Sequence, residues 1–313
     1  MLHYYVNESN DPYFNQAFEE YVFRNTPYDD VLLLWRSRPA VVCGCYQNLL
    51  CEVHLPTAMA RGVAIVRRET GGGAVYHDLG NVNYTRICRC ADRQADYARF
   101  IQPVVEALRR MGIDARMNRT CDIAIGGEKI SGSAQKIAGG RVLHHGTLLY
   151  DADLQALRLL ANGARGHYTT RGVASVPQPV TNIAAHWNEK MPAEAFARQL
   201  LQELAGPDAQ RAALDDAALV EIARLGREKY AAWQWTYGKT PAFEFENEAV
   251  FAGTPVTVRY AAKHGVILQI ACENAPPALR ALEQRLRGCA LDPAVLEPLC
   301  RSVGDAEFWK FLF

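Results

Sequence analysis

The sequence predicts an α/β (α+β) protein. A large domain of interleaved helices and strands over residues 1–240 is followed by a small C-terminal α+β domain over residues 241–313. Three observations carry this reading. Apolar residues recur at helical spacing through Phe14, Phe18, Tyr21 and Val22, and again from Tyr97 through Ile101, Val104, Val105 and Leu108 to Met111. Short apolar runs, Val31–Trp35 and Ala40–Gly44, have the length of strands. Beyond Tyr237–Pro241, where a glycine and a proline punctuate the chain, Phe243 and Phe245 alternate with glutamates and Val256, Val258 and Tyr260 alternate again.

The elements follow in order. Asp11-Pro12 opens the first helix with a capping side chain and a proline at the first helical position. Val63–Val66 reads as a buried strand ending at Arg67 and Arg68, and Val82, Tyr84 and Ile87 continue the β pattern. The helix beginning near Tyr97 ends at Gly112. Strands are expected over 122–125, 128–133 and 142–150, with Gly126-Gly127 and Gly139-Gly140 as hairpin turns. Helices are expected near 153–161, 193–204 and 216–231. In the small domain a strand over 266–270 follows the Lys263-His264-Gly265 turn, and helices are expected near 277–287 and 293–302.

At 313 residues the chain can bury a core without disulfide or metal staples. Its 34 basic and 34 acidic residues cancel, which argues against a protein living on nucleic-acid phosphates or anionic lipid. No run approaches the roughly 20 apolar residues that span a bilayer. The N-terminus MLHYYVNESNDP has no basic stretch followed by an apolar one. A soluble, cytoplasmic protein is expected. The nine cysteines then read as reduced thiols. Cys43/Cys45 and Cys88/Cys90 have C-x-C spacing without the further ligands a zinc site needs, so buried structural cysteines are expected.

Two segments carry chemistry. In Arg67–Asp78 (RRETGGGAVYHD) three glycines follow a strand, where backbone can approach a ligand closely and its N–H groups can cradle an anion. Two arginines supply matching charge, and neither the Walker A nor the Rossmann spacing is present. In Asp122–Lys136 (DIAIGGEKISGSAQK), Lys129 follows a tight turn and precedes small residues that leave room for an ammonium group. Ser131 and Ser133 would share its strand face. His144 and His145 would point to opposite faces of their strand, which excludes joint ligation of one metal.

Together these segments resemble the lipoate–protein ligase A family, within the biotin/lipoate ligase superfamily. Four blocks carry the resemblance: Val41–Asn48 (VVCGCYQN), Arg67–Asn81 (RRETGGGAVYHDLGN), Lys129–Leu149 (KISGSAQKIAGGRVLHHGTLL) and Arg171–Asn182 (RGVASVPQPVTN). Trp235–Phe243 (WTYGKTPAF) extends it. The resemblance implies mixed sheets flanked by helices in the large domain. It also implies a two-step reaction, in which ATP and lipoate give lipoyl-adenylate and the lipoyl group passes to a lysine of a lipoyl domain. The implied acceptors are 2-oxo acid dehydrogenase subunits and the glycine-cleavage H-protein. Lys129 is the implied catalytic residue. Arg68, Gly73, Ala74, Val75, Tyr76, Asp122 and Lys136 are implied around ATP and the adenylate. Gly71, Gly72, His77 and His145 are implied around lipoate, and Asp122 as a ligand for Mg²⁺. The small domain is expected to act as a lid over the adenylation site. The chain departs from the family at Cys45, often arginine there, and at Cys121, usually asparagine. Lys136 is arginine in some members. Animal lipoyltransferases share the blocks, so transfer from preformed lipoyl-adenylate is an alternative. Octanoyl transfer through a cysteine such as Cys121 is another.

Overall fold

A computed structural model describes all residues except 91–95, 119–120 and 162–165. Its strands are β1 (His3–Val6), β2 (Asp30–Trp35), β3 (Ala40–Cys43), β4 (Ala64–Arg67), β5 (Val75–His77), β6 (Asn81–Arg89), β7 (Arg116–Asn118) and β8 (Asp122–Ile125). Then come β9 (Glu128–Ala138), β10 (Arg141–Leu149), β11 (His167–Thr170), β12 (Gln210–Arg211), β13 (Phe243–Phe251), β14 (Thr254–Lys263) and β15 (Val266–Glu273). Eight of them form one mixed sheet in the order β12-β1-β2-β6-β10-β9-β8-β7, with β1 parallel to both its neighbours. A three-stranded sheet, β4-β3-β5, is also mixed. A four-stranded antiparallel sheet, β11-β13-β14-β15, makes up the C-terminal part. Mixed sheets flanked by helices, with a smaller α+β unit, are the expected fold class.

The layers follow from side-chain alternation. In β2, Leu32 and Leu34 face the helices Ala98–Arg110 and Ala193–Ala205, while Val31, Leu33 and Trp35 face the helix Pro12–Asn25 and the small sheet. A central strand buried on both sides needs this run of apolar residues. In β3, Ala40 and Val42 join that second core, and Val41 and Cys43 face a third. The third core holds Phe243, Phe245, Val258, Leu279 and Phe308 of the C-terminal unit. The three-stranded sheet is therefore the layer between the two parts of the chain. β13 shows why the unit needs only one buried face: Phe243, Phe245, Ala249 and Phe251 point inward while the glutamates between them face water.

Several details differ from the sequence reading. The strand expected over 128–133 runs on to Ala138, because its pairing with β10 continues to Arg141↔Ala138. The helix expected over 216–231 ends at Leu225 and widens into a π-turn over Gly226–Tyr230. β11, which precedes residue 240, pairs with β13 and forms the edge of the C-terminal sheet.

Candidate active site

The glycine-rich turn is built around Arg68. Arg68 is 6% exposed, and its guanidinium donates to Val42 O (2.9 Å), Thr70 Oγ1 (2.9 Å), Gly71 O (2.6 Å) and Gly73 O (2.8 Å). Burial lowers its pKa. Arg68 thus holds the turn from behind. Gly72 has φ +89°, and a Cβ there would lie 3.0 Å from the Arg68 guanidinium. A Cβ on Gly44 would lie 2.1 Å from Gly72 O, so the two backbones meet only because residue 44 is glycine. The Ala74 N–H, a member of the expected anion cradle, donates to Ser175 Oγ at 2.8 Å.

Arg67 plays a different part. It is fully buried, and its donors reach Gly44 O, Gln47 O and Thr236 O, each at 2.9 Å, and Thr240 Oγ1 at 3.2 Å. Trp235 Nε1 donates to Arg67 O at 2.7 Å. One side chain therefore ties the turn beneath the glycines to the segment leading into the C-terminal unit.

Lys129 stands opposite. A β-bulge between β8 and β9 shifts the register at Ile123/Ala124, which re-aims the lysine. Its side chain lies over Gly132, where a Cβ would sit 3.0 Å from Nζ. Lys129 Nζ meets Asp122 Oδ1 at 2.8 Å, with the carboxylate side chain 3% exposed and the lysine side chain 25%. The backbone is pinned too: Lys129 N–H donates to Pro179 O and Thr181 N–H to Lys129 O, both at 3.0 Å. The bulge falls between Lys129 and Ser131, so it parts the lysine from the two serines expected on its face; Ser133 and Ser131 line different cavities.

Those cavities meet at Lys129. The first, about 410 Å³, is closed by Trp35, Val42, His77, Asn83 and His145 and floored by Arg68, Gly72 and Gly73. The second, about 340 Å³, is lined by Tyr76, Leu149, Leu157, Leu160 and Val180, with Glu128 and Arg158. Ala74, Val75, Lys129, Gly132 and Ser175 belong to both. A wider depression of about 500 Å³ lies over the polar face of the C-terminal sheet, at His167, Glu244 and Arg259. Among the described residues it has no glycine turn and no buried ion pair, so the chemistry is placed at Lys129.

Two histidines, His145 and His77, stand at one end of the first cavity. His145 Nδ1–H donates to Glu19 at 2.9 Å, and its Nε2 meets Thr70 Oγ1 at 2.8 Å, linking it to Arg68. His77 is 3% exposed and packs edge-on against Trp35, and neither ring nitrogen has a hydrogen-bond partner. Burial, then Arg68 and His145, pushes its pKa down from 6.5 to about 3. His144, on the opposite face of β10 and stacked on Phe100, is pushed by burial to about 3 as well. Below about pH 6.5 the unfolded chain protonates these rings while the folded chain does not, so their stabilisation is complete above that pH and is lost as pH falls toward 3. The urea midpoint should decline between about pH 7 and pH 5, and less steeply in His144→Phe. Identical slopes in both proteins would contradict neutral burial of His144.

Of the expected residues, Arg68, Gly72, Gly73, Ala74, Val75, His77, Asp122, Lys129 and His145 line the first cavity and Tyr76 the second. Two stand off. Gly71 lies under the Tyr46 ring and offers its carbonyl to Arg68. Lys136 pairs with Glu69, which also binds Lys229, and Lys229 reaches Glu20 at 2.7 Å. Burial raises the Glu69 pKa, but hydrogen bonds from both lysines outweigh it and hold the carboxyl low. This cluster is outside both cavity walls. Sequence reasoning missed Ser175, Trp35, Asn83, Glu19 and the buried role of Arg67. Only the R-R pair and the R-G-V-A-S block hinted at them. Among the described residues nothing beyond Val180 lines either cavity, so the C-terminal unit packs beneath the site in this conformation.

Fold and site are those of a mixed α/β protein in which two cavities meet at a lysine. Residues 11–205 match the lipoyl protein ligase A/B catalytic domain, and the chain belongs to that family. It is 33% identical over 264 residues to lipoate–protein ligase 1 of Staphylococcus aureus, an alignment covering 83% of this chain and 80% of that protein. Its fold is similar to P. falciparum LipL1 in complex with lipoate, with TM-score 0.62, 22% identity and coverage of 93% and 90%. It is also similar to lipoate–protein ligase A bound with ATP, with TM-score 0.63, 23% identity and coverage of 75% and 97%.

Proposed function

We propose that the protein is an ATP-dependent lipoate–protein ligase of the cytoplasm. One observation carries the reading most: Lys129 Nζ, held 2.8 Å from the buried Asp122, stands where two cavities meet beside the glycine turn. The first cavity, with its uncharged end at Trp35 and His77, suits an acyl tail and brings Gly72 and His145 against it. Gly71 acts from behind, through the turn. The second cavity suits the nucleotide, with Tyr76 in its wall. Lipoate and the α-phosphate would then meet at Lys129.

Two anions must approach before they react. The Lys129 ammonium lies between them and stabilises the charge that develops as a carboxylate oxygen bonds to the α-phosphorus and pyrophosphate leaves. Arg68 keeps the Gly73–Val75 backbone in place for the phosphates. In the second step the acceptor lysine amine attacks the acyl carbonyl, AMP departs, and an amide forms with loss of a proton. Mg²⁺ accompanying ATP would supply charge neutralisation there. Asp122, on the first cavity's wall and paired with Lys129 where the two cavities meet, would be the carboxylate to reach it from that side, and among the described residues no cluster of three potential ligands exists. Lys136 supports the site through Glu69 rather than by touching the nucleotide. The acceptors are lipoyl domains of 2-oxo acid dehydrogenase subunits or the H-protein. Residues 241–313 serve as an accessory lid, tethered at its linker by Arg67.

Incubation with ATP, lipoate and a recombinant lipoyl domain should raise the acceptor's mass by one lipoyl group at its lysine. An unchanged mass contradicts the reading. Cys121 also lines the first cavity, with its thiol 3.7 Å from Asp122 Oδ1, and octanoyl transfer would use such a thiol as nucleophile. Cys121→Ser should nonetheless retain most ligation. Loss of activity, with a thioester trapped on Cys121 in the parent protein, supports octanoyl transfer instead.

A further inference from the structure

The segment 172–180 crosses the mouth of both cavities and carries no charged side chain. Val173 is 47% exposed and Val176 73%, and Ala174, Pro177 and Pro179 are exposed as well. Tyr46, 67% exposed, lies beside them: Val173 N–H donates to Tyr46 O at 3.1 Å, and the Tyr46 ring covers Gly71. An apolar rim left open to water around a reaction cavity marks a contact surface. Two prolines and the backbone bonds at Lys129 and Tyr46 hold it in shape, so little ordering entropy is lost when it is covered.

We infer that this rim, Tyr46 with Val173 and Val176, docks the lysine-bearing surface turn of the protein acceptor. The inference rests on the proposed transfer reaction. An amine approaching an acyl group at Lys129 across this rim meets these residues, because Val173 and Val176 line the first cavity and are also exposed to solvent. The occupant is a folded domain that presents a lysine on a turn with apolar neighbours. The patch is small, which fits a transient complex with a central tyrosine anchor.

The test supplies preformed lipoyl-adenylate, so that activation plays no part. Two nucleophiles are compared, a lipoyl domain and hydroxylamine, which needs no docking. Tyr46→Asp should raise KM for the lipoyl domain at least about tenfold while hydroxamate formation stays at the parent rate. Tyr46→Phe should behave as the parent, and Val173→Asp should raise KM in the same direction. An unchanged KM in both aspartate variants overturns the docking role. So does a parallel loss of hydroxamate in Tyr46→Asp, which would mark a damaged site. A parent protein that acylates hydroxylamine but never the lipoyl domain also overturns it, leaving the acyl chemistry standing. A parent that reacts with neither removes the proposed function itself.

Discussion

Lys129→Ala should lose lipoate-dependent adenylation and acyl transfer by about a thousandfold or more, while the chain stays folded. Among the described residues the ammonium is the one cation shared by both cavities, and its position is fixed three ways: by the bulge, by Gly132 and by Asp122. Water reaching the emptied space solvates Asp122 through the open cavity, so the loss falls on chemistry rather than on the fold. Lys129→Arg should rescue little. The clearance over Gly132 admits a slim chain, and a planar guanidinium presents its charge over a wider fork. Circular dichroism and pyrophosphate exchange on the same samples check both parts. Ligation at the parent rate by folded Lys129→Ala would remove the assigned role.

Arg67→Met should destabilise the protein by roughly 3–5 kcal/mol. Four acceptors, Gly44 O, Gln47 O, Thr236 O and Thr240 Oγ1, lose their donor in a place where Arg67 is fully buried. Arg67→Lys should recover only part of this, since a point ammonium cannot span the two sides that the guanidinium bridges. Burial lowers the arginine's own pKa, so the cost of its charge is already set against these bonds. Denaturant midpoints measure the effect. A shift below about 0.5 kcal/mol would mean that the clamp contributes nothing.

Much of this was legible in the sequence because local signals agreed with the tertiary outcome. The Asp11-Pro12 cap, the paired glycines of the two hairpins and the alternation along β13 each prescribe one local shape. The Lys129 and glycine blocks could be located for the same reason: small residues are needed where backbones meet or a side chain must pass. What the sequence hid depends on register and distance. A bulge re-aims Lys129, and no local pattern announces it. Arg67 and Arg68 look alike as neighbours on the chain. Arg67, the last residue of β4, points toward Thr236 and Thr240, and Arg68, just past the strand's end, points into the glycine turn. Lys136 looked available for phosphate, yet it pairs with Glu69, 67 residues away in sequence. β11 is short and polar, and only the long-range pairing with β13 makes it a strand.

The central claim is that this site activates a carboxylic acid with ATP. Lipoate-dependent exchange of labelled pyrophosphate into ATP by the purified protein tests it most directly. Exchange that requires lipoate and disappears in Lys129→Ala is the predicted result. No exchange, from folded protein that still lipoylates a lipoyl domain when given lipoyl-adenylate, would contradict it and make the protein a transferase.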